Sequence, residues 1–251
     1  MRIPVYSLLL SAIVMCGPYA HAADPDSLRV LGDVEEILLQ RRHIGEPSAY
    51  EKLVAYSGHN AAAMEAITDA MVAILERGGE SQNAVRGERL HKFAVDTAKH
   101  FRGSNVVAAL KKVVRTTKDA GIRMSATCAI VCAETNNVVL YVKEVVDDNN
   151  SYSDLDRFLV YEEFLGRLKT EAGSGGTAKE ERIDAIEFLK KQVAKEQTPE
   201  SIIKIDAYLC EVDQNYKTSD SRRKLLTKGV SSKVPAHKRY FSEAVQALEK
   251  K

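Results

Sequence analysis

The sequence predicts an all-α protein, an α-solenoid of antiparallel helical pairs with about a dozen helices. Three observations predict it. First, Asn105-Val106-Val107-Ala108-Ala109-Leu110-Lys111-Lys112-Val113-Val114 recurs as Asn137-Val138-Val139-Leu140-Tyr141-Val142-Lys143-Glu144-Val145-Val146, 32 positions later (137 less 105). Each copy is followed by a polar turn and a second apolar-periodic segment, and self-similarity at this period marks stacked helical hairpins. Second, apolar residues along the rest of the chain recur at helical spacing rather than in alternation. Third, glycine and proline fall between these segments, where helices stop and start.

The first residues stand apart from the fold. After Arg2 no charge appears before Asp24, 5–14 is mostly apolar, and Ala20-His21-Ala22 places small residues where a signal peptidase reads. Residues 1–22 are therefore expected to be a signal peptide. Pro4, Gly17 and Pro18 shorten any helix there below the ~20 residues a bilayer requires. Lipidation at Cys16 is disfavoured, because Ile13-Val14-Met15 lacks a small residue beside the cysteine. A mature chain of 229 residues (251 less 22) carries 35 basic and 35 acidic residues, since Arg2 is lost. This balance gives no global field for nucleic acid. Tryptophan is absent and aromatics make up 6%, against broad stacking surfaces.

From Ser27, a cap after Pro25, the residues Leu28, Leu31, Val34 and Leu38 define a first helix that Gly45-Glu46-Pro47 ends. A short helix is expected over 48–56, with a turn at Gly58-His59-Asn60. A long helix over 60–77 carries Met64, Ile67, Met71, Ile74 and Leu75, closed by Gly78-Gly79. Residues 82–101 follow, with Leu90, Phe93, Ala94, Thr97 and Phe101 inward. Valine-rich runs favour strands. The stripe Val107-Leu110-Val113-Thr117 and its echo Val139-Val142-Val145 nevertheless keep helical spacing, and strict alternation breaks at Lys143 and Glu144. The partner helices are expected over 119–134 and 153–169.

In that core Asp119 with Arg123, and less closely Asp154 with Arg157, match an Asp at the turn and an Arg early in the second helix. The segment of about 65 residues resembles the HEAT/armadillo-like helical repeats. That resemblance implies a right-handed superhelix with a groove for an extended segment. The Trp, Gly and Tyr pattern of tetratricopeptide repeats is missing.

The domain organisation expected is a helical-repeat region over 23–172, a linker or loop over 173–177, and a helical region with a basic end over 178–251. In the last region Ile183-Ile186-Leu189-Val193 and Ile202-Ile205-Leu209-Val212 form helices hinged at Thr198-Pro199, with Thr198 as cap. Helices over 219–228 and 235–250 complete the set.

No constellation fixes a reaction. Glu88 and His91 have the spacing of a carboxylate-bridged di-iron motif, but no second copy exists and His100 falls on the opposite side of the helix. Gly173-Ser174-Gly175-Gly176-Thr177-Ala178-Lys179 lacks the order of a phosphate loop and follows no strand. Ser-His-Asp and Cys-His sets remain open with five mature histidines, yet no nucleophile sits in an elbow. Of the mature cysteines, Cys128 and Cys132 lie one helical turn apart and cannot bridge each other. All three read as small buried side chains, with a bridge from Cys210 to one of the other two as the alternative. Asn149-Asn150-Ser151 fits a glycosylation acceptor, relevant in a eukaryotic secretory route.

Charge is the most informative feature for function. Residues 217–251 hold ten bases against three acids, and 144–171 hold eight acids against three bases. The expected function is an exported, non-enzymatic binding protein, secreted or periplasmic, that needs no cofactor or metal. It presents a helical-repeat surface to a protein or extended acidic peptide, such as a host cell-surface protein. The residues expected to bind are Arg222, Arg223, Lys224, Lys238 and Arg239. The alternatives are a hydrolase or metal-dependent enzyme on a helical scaffold, and an envelope or self-assembly subunit whose opposite ends attract. The chain is expected to be a monomer or to self-associate weakly.

Overall fold

A computed structural model describes residues 25–40, 46–80, 83–148, 150–174 and 179–249. The expected signal peptide, Asn149 of the acceptor pattern and residues 175–177 of the expected linker lie outside the described residues. Among the described residues there are thirteen helices and no strand. The chain divides into two compact units, one up to Ala73 and one from Ile74 onward.

In the first unit α1 (Pro25–Leu39) packs on α2 (Ala49–Tyr56). The Tyr56 hydroxyl donates to Asp33 Oδ2 at 2.6 Å, and Lys52 Nζ donates to Gln40 Oε1 at 3.1 Å. A reciprocal capping box starts α2. The Ser48 N–H reaches Glu51 Oε2 at 2.6 Å and the Glu51 N–H reaches Ser48 Oγ at 3.2 Å. α3 (Ala61–Arg77) begins in this unit, capped by Asn60, whose Oδ1 accepts from the N–H groups of Ala62 and Ala63. Val34, Leu38, Leu53, Ile67 and Met71 are buried.

The second unit takes up α3 at Ile74. Gly78, at φ +65°, closes α3 in the left-handed conformation a glycine adopts without penalty. Then come α4 (Ala84–Ala98), α5 (Ser104–Thr116), α6 (Ala120–Ala133), α7 (Val138–Asp147) and α8 (Asp154–Ser174). α9 (Lys179–Lys195), α10 (Pro199–Val212), α11 (Gln214–Lys217), α12 (Asp220–Gly229) and α13 (Pro235–Glu249) complete the chain.

The packing order is that of stacked helical pairs. α5 packs on α6, α7 on α8, α9 on α10 and α12 on α13, each as a hairpin. Between hairpins, α4 meets α6, α6 meets α8, α8 meets α10, and α10 meets α13, so these helices form one continuous layer. α6 supports that position because nearly all of it is small or apolar. Thr127, Ala126, Ala129, Ile130, Val131 and Ala133 are buried on several sides against α4, α5 and α8. The duplicated segments occupy α5 and α7. Val106, Ala109, Leu110 and Val113 are buried in the first copy, and their counterparts Val138, Tyr141, Val142 and Val145 are buried in the second. Asp119 caps α6, accepting the Ile122 N–H at 2.8 Å, while α8 is opened by a Ser153–Asp156 capping box.

One polar clamp joins α6 and α8 within this layer. Arg167 of α8 is buried; its Nη1 donates to the carbonyls of Val131, at 2.9 Å, and Glu134 at the end of α6. A cation at that terminus satisfies orphan carbonyls and complements the helix dipole. Its Nε holds Glu171 at 2.9 Å, and Glu171 also meets Arg102 at 2.8 Å. α8 runs on to Ser174, so Gly173 and Ser174 of the expected linker or loop are helical. At the expected hinge Pro199 is the first residue of α10, but the Thr198 side chain caps nothing. Glu196 Oε1 instead accepts the N–H groups of Gln197 and Thr198, both at 2.9 Å.

Gly229 packs flat on the ring of Phe241, which is 1% exposed; a Cβ there would lie 2.5 Å from the ring. Gly229→Ala should therefore lower stability by about 1–3 kcal/mol in urea unfolding, although alanine is the better helix former. His91 is buried, and burial alone holds its imidazole below the ordinary value of 6.5. The unfolded chain takes up a proton that the folded chain resists. Stability should thus be intact above pH 6.5 and fall as the pH drops below it, a fall that thermal melts of His91→Leu should show flattened.

Candidate functional site

One carboxylate organises the C-terminal helices. Asp206 on α10 is fully buried, flanked by the buried Ile205 and Leu209. Arg222 of α12 donates to both of its oxygens, Nε to Oδ1 at 2.9 Å and Nη2 to Oδ2 at 3.0 Å. The hydroxyl of Tyr216 in α11 donates to Oδ1 at 3.0 Å, and that of Tyr240 in α13 donates to Oδ2 at 2.9 Å. The remaining Arg222 Nη1 reaches the carbonyl of Lys217 at 3.0 Å. Burial, followed by the Asp206 charge, pushes both phenols well above their usual range, so they remain donors. Burial opposes the Arg222 charge; the Asp206 carboxylate more than offsets it.

With α10, α12 and α13 fixed in this way, an open groove of about 930 Å³ lies between them and the end of α9. Its apolar lining includes Ile202, Leu225, Val234 and Phe241. Lys224 and Lys228 stand one helical turn apart on the α12 wall, and Lys233 lies in the turn to α13. All three are exposed, and among the described residues none forms an ion pair. The lining acid Glu196 has one carboxylate oxygen occupied by the N–H groups of the α9–α10 turn. A smaller cavity of about 240 Å³ shares Ala194, Ser221 and Leu225 with the groove and extends it toward Asn215 and Ser219. Lysine heads over an apolar floor can hold a ligand that is both acidic and apolar, with long stems that add to the floor.

The residues expected to bind separate in three dimensions. Lys224 lines the groove. Arg222 is 8% exposed and committed to Asp206, so it belongs to the framework and not to a surface patch. Arg223, Lys238 and Arg239 are exposed but line no part of the groove, and Arg239 pairs with Glu243 one turn on at 2.8 Å. Lys228 and Lys233 are not among the residues expected from sequence. Lys228 had a signal in helical spacing, since Ser221, Lys224, Leu225 and Lys228 fall on one face of α12, whereas Lys233, in the turn to α13, had none. The framework also had a signal: Asp206 follows Ile202 by four positions and so lies on the apolar stripe.

The other chemical candidates sit apart. Cys128, Cys132 and Cys210 are free thiols, so the alternative bridge to Cys210 is not formed. Burial, with the nearby Glu163 carboxylate, pushes the Cys128 and Cys132 thiols up to about 12. Cys132 Sγ lies 3.5 Å from Glu163 Oε2. His91 is buried beside the α3–α4 turn, where its Cε1 lies near Gly78. Among the described residues no three His, Cys, Asp or Glu side chains converge as a metal site.

In comparisons with protein-family models, curated proteins and solved structures, nothing matches this chain.

Removing the carboxylate strands a buried guanidinium. Asp206→Ala should cost about 3–5 kcal/mol in urea unfolding, and adding Arg222→Met should restore part of that loss.

Proposed function

We propose that this chain is an exported, non-enzymatic binding protein whose groove between α10, α12 and α13 holds an extended, acidic and apolar segment of a partner protein. The observation that carries the reading is the set of three lysines without carboxylate partners over an apolar floor. A positive rim steers an acidic partner and orients it, and the floor supplies non-directional affinity. Stacked helical pairs present such surfaces to extended partners. The right-handed winding implied by the HEAT/armadillo resemblance belongs to the same proposal. The Cys128 and Cys132 thiols weigh against the Cys-His alternative alone, since a group held near 12 supplies little thiolate nucleophile at neutral pH. Export, to a secreted or periplasmic location, rests on the apolar first 22 residues. No helix among the described residues is long and apolar enough to cross a membrane.

A fluorescent peptide of alternating glutamate and leucine tests the reading by anisotropy. It should bind, and more weakly as salt rises. Lys224→Glu with Lys228→Glu and Lys233→Glu should lower affinity at least tenfold, whereas Arg239→Glu should change it less than twofold. Equal losses from both variants would show a diffuse basic surface, and the groove reading would be abandoned.

A further inference from the structure

We infer that the partner segment does not end in the lysine-rimmed groove but continues over the α9–α10 turn into a second cavity, where Lys195 receives a further carboxylate. This inference rests on the groove reading and extends it along the partner.

The second cavity, of about 620 Å³, lies where the α7–α8 turn meets α8 and the end of α9. It shares Glu196 and Gln197 with the groove, so a single three-residue turn is the common wall of the two. Unlike the groove it is lined chiefly by polar side chains, which suits a chain whose backbone and side chains need hydrogen bonds. Most of its charges are already engaged. Asp147 takes Lys143 at 3.2 Å and the Gln192 amide at 3.3 Å, and Asp154 takes Arg157. Glu196 accepts from the turn backbone. Lys195 is left exposed and forms no close ion pair among the described residues, although the Asp147 carboxylate attracts it. It thus repeats, across the turn, the condition of Lys224, Lys228 and Lys233. Gln197, exposed on the wall between them, offers an amide donor and acceptor to a crossing backbone.

The lengths set the ligand. The wall from Ser221 to Lys228 spans roughly 10 Å at 1.5 Å per helical residue, which an extended chain covers in about three residues. A five-residue segment therefore fills the groove, and one of about ten residues is long enough to pass the turn.

Two sets of synthetic peptides separate this inference from the reading beneath it. One is a five-residue glutamate–leucine alternation. The other carries five further residues of glutamate and serine, added at either end in separate peptides. One of the ten-residue peptides should bind at least fivefold tighter than the short one. Lys195→Glu should abolish that gain while leaving the short peptide within twofold. Equal affinity of short and long peptides, or equal loss of both on Lys195→Glu, would overturn the extension and leave the groove intact. Failure of every peptide to bind would remove both. Tighter binding of a heparin fragment than of any peptide would also overturn the inference, because a polyanion needs no apolar floor.

Discussion

The Asp206 carboxylate is the constraint on which the C-terminal part of the molecule depends. A bare carboxylate in an apolar interior is costly, and only full hydrogen bonding with an opposite charge makes it tolerable. Arg222, Tyr216 and Tyr240 meet that demand from three separate helices. Because each donor must reach the same two oxygens, the positions of α11, α12 and α13 against α10 are fixed together. Hydrophobic burial alone is non-directional and would allow these short helices to slide. The groove follows from this arrangement. Its walls belong to α10, α12 and α13, the helices that the carboxylate holds together.

Arg167 plays the corresponding part further up the stack. The α6–α8 seam is built from small and apolar side chains, which give contact area but little register. A guanidinium seated on the last carbonyls of α6 supplies a direction, and Glu171 and Arg102 complete the set. In both places a buried charge lies at the join between hairpins. Stacked pairs of unequal sequence need such joins, because the sequence repeat is clear only across α5 to α8.

What the sequence revealed of the fold was what is local. The register of the repeated segment proved to be the register of burial, with Val106 and Val138, Leu110 and Val142, and Val113 and Val145 in equivalent buried places. The proline at α10 was also legible, because it acts within one helical turn, whereas the cap expected at Ser27 falls inside α1 and that expected at Thr198 bonds nothing. What was not legible depends on distance along the chain. Arg222-Arg223-Lys224 reads as one basic run, and only the return of α12 to α10 separates the buried Arg222 from the exposed Lys224. The groove was hidden likewise, since Ile202 and Lys233 are brought together by the hairpin and not by any motif. The pairing of Glu171 on α8 with Arg102 ahead of α5 was hidden for the same reason.

The three described cysteines bear on how such a chain is made. With Cys128 and Cys132 held near 12, on the order of one thiol in a hundred thousand is ionised at neutral pH, and disulfide exchange proceeds through that ionised form. In the folded chain these two thiols are therefore poor partners for disulfide exchange. Their vulnerable interval is the time before α6 packs beside α8 and half-buries these sulfurs, and the pairing of the central hairpins ends it.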